Sequence, residues 1–278
     1  MHIRVITLNV WNTEGDARRY GLINRELRRL RPDLLALQEV VQTPQRRTLD
    51  QLAERLDLHV THQQDVQPYT PPYAEKYGGG SAVATRWPHK IVEVMDARTP
   101  ASQDVPWATL AAKVDLGETG ELLFVGTTAA WRSAAEIARE RHALRLAELD
   151  ARQRTALPTI IAGDLNAGPD TASIRFLTGR QSLDGASVCY HDSWEVAGSG
   201  PGHTWTVDNP NAAAVIEQII GQRGYRRRFD CVLVGSWAAH PKASASVQSA
   251  TLIFDQPVDG LWLSDHFGVM VDLEVTAV

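Results

Sequence analysis

Short apolar runs that close on an acid or an amide recur along the whole chain, and they limit its architecture more than any other feature. Residues 160–170 read IIAGDLNAGPD: an apolar run reaches Gly163, meets Asp164, Leu165 and Asn166, and stops at Gly168 and Pro169. In a strand, residues two apart point to the same side, so Asp164 and Asn166 would set two oxygen-bearing groups at the rim of a core. The first strand, His2 to Val10, brings in Asn9 near its end, and LLALQEV, 34–40, brings in Glu39. RRRFDCVLVG puts Asp230 at the start of a core-like strand, and LSDHFGVMVDL sets Asp265 and His266 immediately before the last one. Any one of these is ordinary turn or cap chemistry. A set of them, each attached to a strong apolar strand, can converge if the strands share sheets.

The remaining periodicity fills in the frame. Ile23, Leu27 and Leu30 have helical spacing, and Pro32 should end that helix near Arg31. A helix is expected over 49–56, a strand over 59–64, and further strands over 81–86, 91–96, 108–116 and 121–128. The longest helix, 133–154, is expected to bury Ile137, Leu144, Ala147 and Ala151. A short helix near 171–178 precedes a long loop region from about 180 to 228, and strands follow over 229–235 and 266–275. Helices between groups of strands predict mixed sheets sandwiched between helices, in a single domain covering 1–278.

Composition narrows the class. Hydrophobic residues make up 44% and charged residues 22% of 278, the balance of a folded globular chain. A net charge of -5 argues against a protein whose main business is gripping long duplex nucleic acid. Cys189 and Cys231 sit in unlike contexts and suggest neither a disulfide framework nor a cysteine metal site. The N-terminal MHIRVITLNV lacks the parts of a signal peptide, and no apolar run is long enough for a membrane span. A cytoplasmic monomer is the expectation.

Carboxylate and amide oxygens are hard ligands, suited to Mg²⁺ or Mn²⁺ rather than to zinc. Mg²⁺ typically keeps waters and substrate phosphate oxygens around one or two carboxylates. A further Asp can orient a water for attack, while Asn and His donate to the charge growing on phosphorus.

In their order and spacing, TLNVWN, LLALQEV, GDLNAGPD, RRRFDCVLV and LSDHFGV resemble the endonuclease/exonuclease/phosphatase superfamily, of deoxyribonuclease-I-like fold. The resemblance runs from Asn9 to His266 and implies an α/β (α+β) four-layer sandwich, two mixed β-sheets packed face to face with helices outside. It also implies roles. Asn9, Glu39 and Asp265 would sit at the metal, with Glu39 a direct ligand. Asp164 would orient or deprotonate the attacking water, Asn166 would steady the transition state, and His266, held in its tautomer by Asp230, would contact the scissile phosphate.

One position departs from the family pattern. The strand before the long helix usually ends in a Thr-His pair, whereas FVGTTAAWRS ends in Thr127 and Thr128. A hydroxyl donates to a phosphate oxygen but is no acid near neutral pH, and general acid catalysis is worth roughly 10²–10⁴ in rate. Thr128 is therefore a candidate substrate contact. Trp131 and Arg132 beyond it are candidates to shape a different pocket, and His142 reads as structural. Trp205 in GHTWTVDNP is positioned to stack on a base, and Arg228 is chosen from a basic patch with Arg223, Arg226 and Arg227 as a grip on an anionic substrate. Tyr69, Tyr73 and Tyr77 are candidates for another wall. A metal-dependent phosphodiesterase acting on a small molecule or short nucleic acid is the leading expectation. A DNA or RNA nuclease, and a catalytically weak phosphate-binding protein, stand as alternatives.

Overall fold

In the computed structural model, residues 1–66, 79–96, 98 and 107–277 are described. Gly78 and the three tyrosines Tyr69, Tyr73 and Tyr77 lie outside them. The strands are β1 (His2–Asn9), β2 (Leu34–Gln38), β3 (Gln42–Thr43), β4 (Arg46–Arg47), β5 (His59–His62), β6 (Ala82–Thr85), β7 (His89–Asp96) and β8 (Ala108–Asp115). They continue with β9 (Glu121–Thr128), β10 (Ile160–Asp164), β11 (Tyr190–Asp192), β12 (Trp205–Thr206), β13 (Arg226–Arg227), β14 (Asp230–Gly235), β15 (Ala243–Ile253) and β16 (Gly268–Ala277).

Two six-stranded mixed sheets result, ordered β15-β16-β1-β2-β6-β5 and β11-β14-β10-β9-β8-β7. Their strands alternate apolar side chains between two burial surfaces, as the two-residue period of a strand requires. On β1, Ile3 and Val5 face the other sheet while Ile6 and Leu8 pack on the Arg19–Leu30 helix through Ile23 and Leu27. On β9, Leu122 and Phe124 meet the first sheet, and Leu123 and Val125 turn to the Glu136–Gln153 helix and its Leu146 and Leu149. The four layers are helix, sheet, sheet, helix.

The strand directions place the site. β1 runs parallel to β2, and β10 parallel to β9, so their C-terminal ends share an edge. β14 and β16 are antiparallel to β10 and β1, so they begin where those strands end. Asn9, Glu39, Asp164, Asp230, Asp265 and His266 therefore emerge at one rim.

Three sequence expectations change. The long helix buries Ala138, Arg139, His142, Ala143, Leu146, Ala147, Leu149 and Asp150, whereas Ile137 and Ala151 are exposed. Its inner face carries polar groups that find partners inside, among them Asp150, which accepts from Thr159 Oγ1 at 2.6 Å and Tyr190 Oη at 2.8 Å. The region 180–228 is not a long loop: it holds β11 to β13 and the helices Ser193–Ala197 and Pro210–Ile219, the latter capped by Asn209 with Pro210 in its first turn. Finally, β15 is an eleven-residue edge strand with no counterpart among the expected strands; its Ser-, Thr- and Gln-rich stretch alternates exposed and half-buried positions.

Candidate active site

Asp164 and Asn166 do meet, but not by strand parity. β10 ends at Asp164; Asn166 follows with a φ of 49° and donates its backbone N–H to Asp164 Oδ1 at 2.9 Å. Its side-chain amide donates to the Ala129 carbonyl at 3.2 Å. Gly163 permits this crowding, because a Cβ there would lie 1.9 Å from the Thr127 carbonyl oxygen. Glu39 also takes a left-handed φ, 58°, rare for a non-glycine residue and a mark of a constrained site.

Asn9 ties the two sheets together. Its Nδ2 donates to Glu39 Oε1 and to Asp164 Oδ2, each at 3.1 Å, and its Oδ1 accepts from the Trp11 backbone at 2.9 Å. Its polar atoms are thus engaged by protein, so it orients both acids. Asn12, in the same NVWN run, donates to Glu39 Oε2. Strand parity ends with β1 at Asn9 and says nothing of where Asn12 points. Arg19, buried, holds the turn by donating to the carbonyls of Val10, Trp11, Asn12 and Glu14.

On the other flank, His266 Nδ1 and Asp230 Oδ2 are 2.9 Å apart, and His266 Nε2 lies 4.0 Å from Asp164 Oδ2. Ser264 donates to the Asn9 carbonyl at 2.6 Å, fixing the segment that carries Asp265 beside β1. Burial, then the Asp265 charge, pushes Glu39 up to about 8. Burial with the Asp230 charge raises Asp164 to about 6, His266 pulling the other way, and burial also raises Asp265. Burial disfavours a charged His266, yet Asp230, Asp164 and Asp265 together hold its pKa well above the ordinary imidazole value. The site is a set of buried acids facing one imidazolium.

All of this opens into a cavity of about 560 Å³, lined by Glu39, Asp164, Asn166, Asp265 and His266, with Trp131, Arg132 and Trp205 among its walls. Trp205 is mostly buried, stacked on Phe229 at 5.6 Å, and packs rather than standing free. Two expected substrate contacts are placed elsewhere. Arg228 is buried in an ion pair with Asp192 at 2.7 Å and does not line the cavity; its neighbour Arg227 does. Alternation along the chain turns Arg228 inward, which charge counting could not show. Thr128 is buried and does not line the cavity: it stands beside Asp164 on the neighbouring strand, 3.3 Å from Ser81 Oγ. His142 is buried against Thr127 Oγ1 at 2.8 Å, away from this cavity.

Two donor sets for a metal lie side by side here. Asp164, Asp230 and His266 bring ligand atoms within 4.8 Å of one another. Glu39 and Asp265, both lining the same cavity, offer an all-oxygen alternative of the kind a hard divalent cation prefers. Buried acids crowded enough to lift Glu39 to about 8 suit a divalent cation, whose charge would offset theirs.

A fold of two facing mixed sheets with catalytic-type acids at one rim defines a class of phosphoester hydrolases. Residues 6–266 match the model of the Endonuclease/Exonuclease/phosphatase family, and the chain belongs to it, a hydrolase acting on ester bonds. Among solved structures, D. rerio TDP2 complexed with single strand DNA product superposes with a TM-score of 0.71 at 20% identity, covering 98% of this chain and 99% of that one. The endonuclease/exonuclease/phosphatase from Bacteroides vulgatus gives 0.70 at 18%, covering 99% of each. The human Nocturnin catalytic domain with bound sulfate anion gives 0.69 at 21%, covering 99% and 94%. No curated protein matches the sequence.

Proposed function

We propose that the chain is a divalent-cation-dependent phosphodiesterase, Mg²⁺ or Mn²⁺ being the ion, that hydrolyses its ester by in-line attack of water. The observation that carries this reading is the convergence of Glu39, Asp164, Asp265 and His266 on one cavity from both sheets, with Asp230 holding His266 from behind. A sulfate on Nocturnin and a DNA product on TDP2 support a phosphate-like anion as the bound group.

Glu39 and Asp265 would hold the cation, with Asn9 orienting Glu39. When bound, such an ion neutralises phosphoryl oxygens and activates water. Asp164, raised to about 6, is ionised near neutral pH yet more basic than an ordinary carboxylate, so it accepts a proton from the attacking water. Asn9 and the Asn166 backbone keep its two oxygens aimed. His266 donates from Nε2 to a phosphoryl oxygen while Asp230 holds Nδ1, stabilising the charge that develops there. Thr128, buried beside Asp164 on the neighbouring strand, takes no part as an acid.

Hydrolysis of bis(p-nitrophenyl) phosphate with Mg²⁺ or Mn²⁺, stopped by EDTA, tests the reading. Glu39→Ala and Asp164→Ala are each expected to lose about 10³-fold or more in kcat. Unchanged rates in both variants would reject it.

A further inference from the structure

Resting on that reading, we infer that one ester substituent of the substrate is an uncharged aromatic group, seated on an apolar wing beside His266. The Pro210–Ile219 helix turns Ala212 and Ile216 onto Trp205 and Phe229. Its next face, Val215 and Ile219 at i and i+4, lines the catalytic cavity together with Ile220 and Tyr225. Tyr225 meets Trp205 edge-on at 5.8 Å, and Trp205 lies 6.4 Å from the His266 ring. An apolar surface therefore leads away from the imidazole, edged by the Arg227 guanidinium, 4.6 Å from the centroid of the Tyr225 ring.

Two of the large apolar side chains exposed among the described residues, Ile219 at 44% and Trp131 at 43%, belong to this one cavity. Leaving them in water is unfavourable unless something apolar covers them. Among the described residues the rim charges balance: Arg132 and Arg227 stand against Glu14 and Asp170, and Arg139 is committed to Glu136 and three backbone carbonyls. A polyphosphate or long nucleic acid needs several surplus cations. A singly charged diester with one flat apolar arm matches the walls.

Calorimetric binding of diphenyl phosphate and dimethyl phosphate, with Mg²⁺, tests the wing without requiring turnover. The wild type is expected to bind the diphenyl ester at least about tenfold more tightly, a ratio the extra apolar area accounts for. Ile219→Asp, at an exposed helix position, should bring that ratio close to one, and Val215→Asp should do the same. In turnover, p-nitrophenyl phenyl phosphate should exceed methyl p-nitrophenyl phosphate by a similar factor in kcat/KM, the leaving group being shared. The p-nitrophenyl ester of thymidine 5′-phosphate separates a nucleoside arm from a plain aryl one. Equal affinities in the wild type, or a phenyl preference that survives both variants, would overturn the inference. Absent hydrolysis with a preserved binding ratio would count against the phosphodiesterase reading alone.

Discussion

His142 and His266 are both buried, yet their surroundings drive them in opposite directions. His266 faces three acids and stays charged, whereas burial and then Arg145 lower His142 to about 3, so it is neutral beside Thr127. A group whose folded pKa is depressed contributes stability above its unfolded value and loses it as pH falls. Below pH 6.5 the unfolded chain takes up a proton that folded His142 refuses, so stability should decline by about 1.4 kcal/mol per pH unit from this group. Urea denaturation of the wild type and His142→Gln between pH 4 and 7 checks this; the variant should show a shallower acid slope. Asp230→Asn should lower kcat for bis(p-nitrophenyl) phosphate by about a hundredfold or more, with a smaller change in KM, since it acts through His266. At this scale much of the site was legible, because Asn9, Glu39, Asp164, Asp230, Asp265 and His266 stand next to strong strands. Arg228 was not, since a run of arginines does not reveal which one turns inward to meet Asp192, 36 residues away in sequence.

Among elements, short strands with clear turns were readable and the helix faces were not. The 136–153 helix hides Arg139, His142 and Asp150 because each finds a partner outside the helix: the Ala130 carbonyl, Thr127 on β9, and Tyr190, 40 residues on; helical periodicity carries none of this. β12 and β13 are two-residue strands joined by a single ladder, too brief to stand out before their neighbours are known. The close pairing of β9 and β10 yields a direct test. Gly163→Ala forces a Cβ onto the Thr127 carbonyl and should cost about 3 kcal/mol in urea denaturation. Asn209→Ala removes the cap of the Pro210–Ile219 helix and its 3.0 Å bond to the Ser264 carbonyl, and should cost about 1 kcal/mol or slightly more.

For the whole molecule, the motif order carried the family resemblance, and that resemblance implied the layered fold; the strand directions that decide which ends share an edge are seen only in the structure. What the sequence withheld is the shape of the cavity, made by side chains from Trp11 to His266 whose proximity exists only after folding. The balanced rim bears on nucleic acid. Binding of a single-stranded oligonucleotide, followed by fluorescence anisotropy against salt, should give a log–log slope no steeper than about -1.5, equivalent to two phosphate contacts. A slope several times larger would favour a true nuclease. The most direct measurement of the central claim is Mn²⁺ binding followed by electron paramagnetic resonance in wild type, Glu39→Gln and His266→Gln. The account predicts that Glu39→Gln weakens Mn²⁺ binding at least tenfold while His266→Gln retains it. Retention in Glu39→Gln with loss in His266→Gln would contradict it and move the ion to the Asp164–Asp230–His266 group.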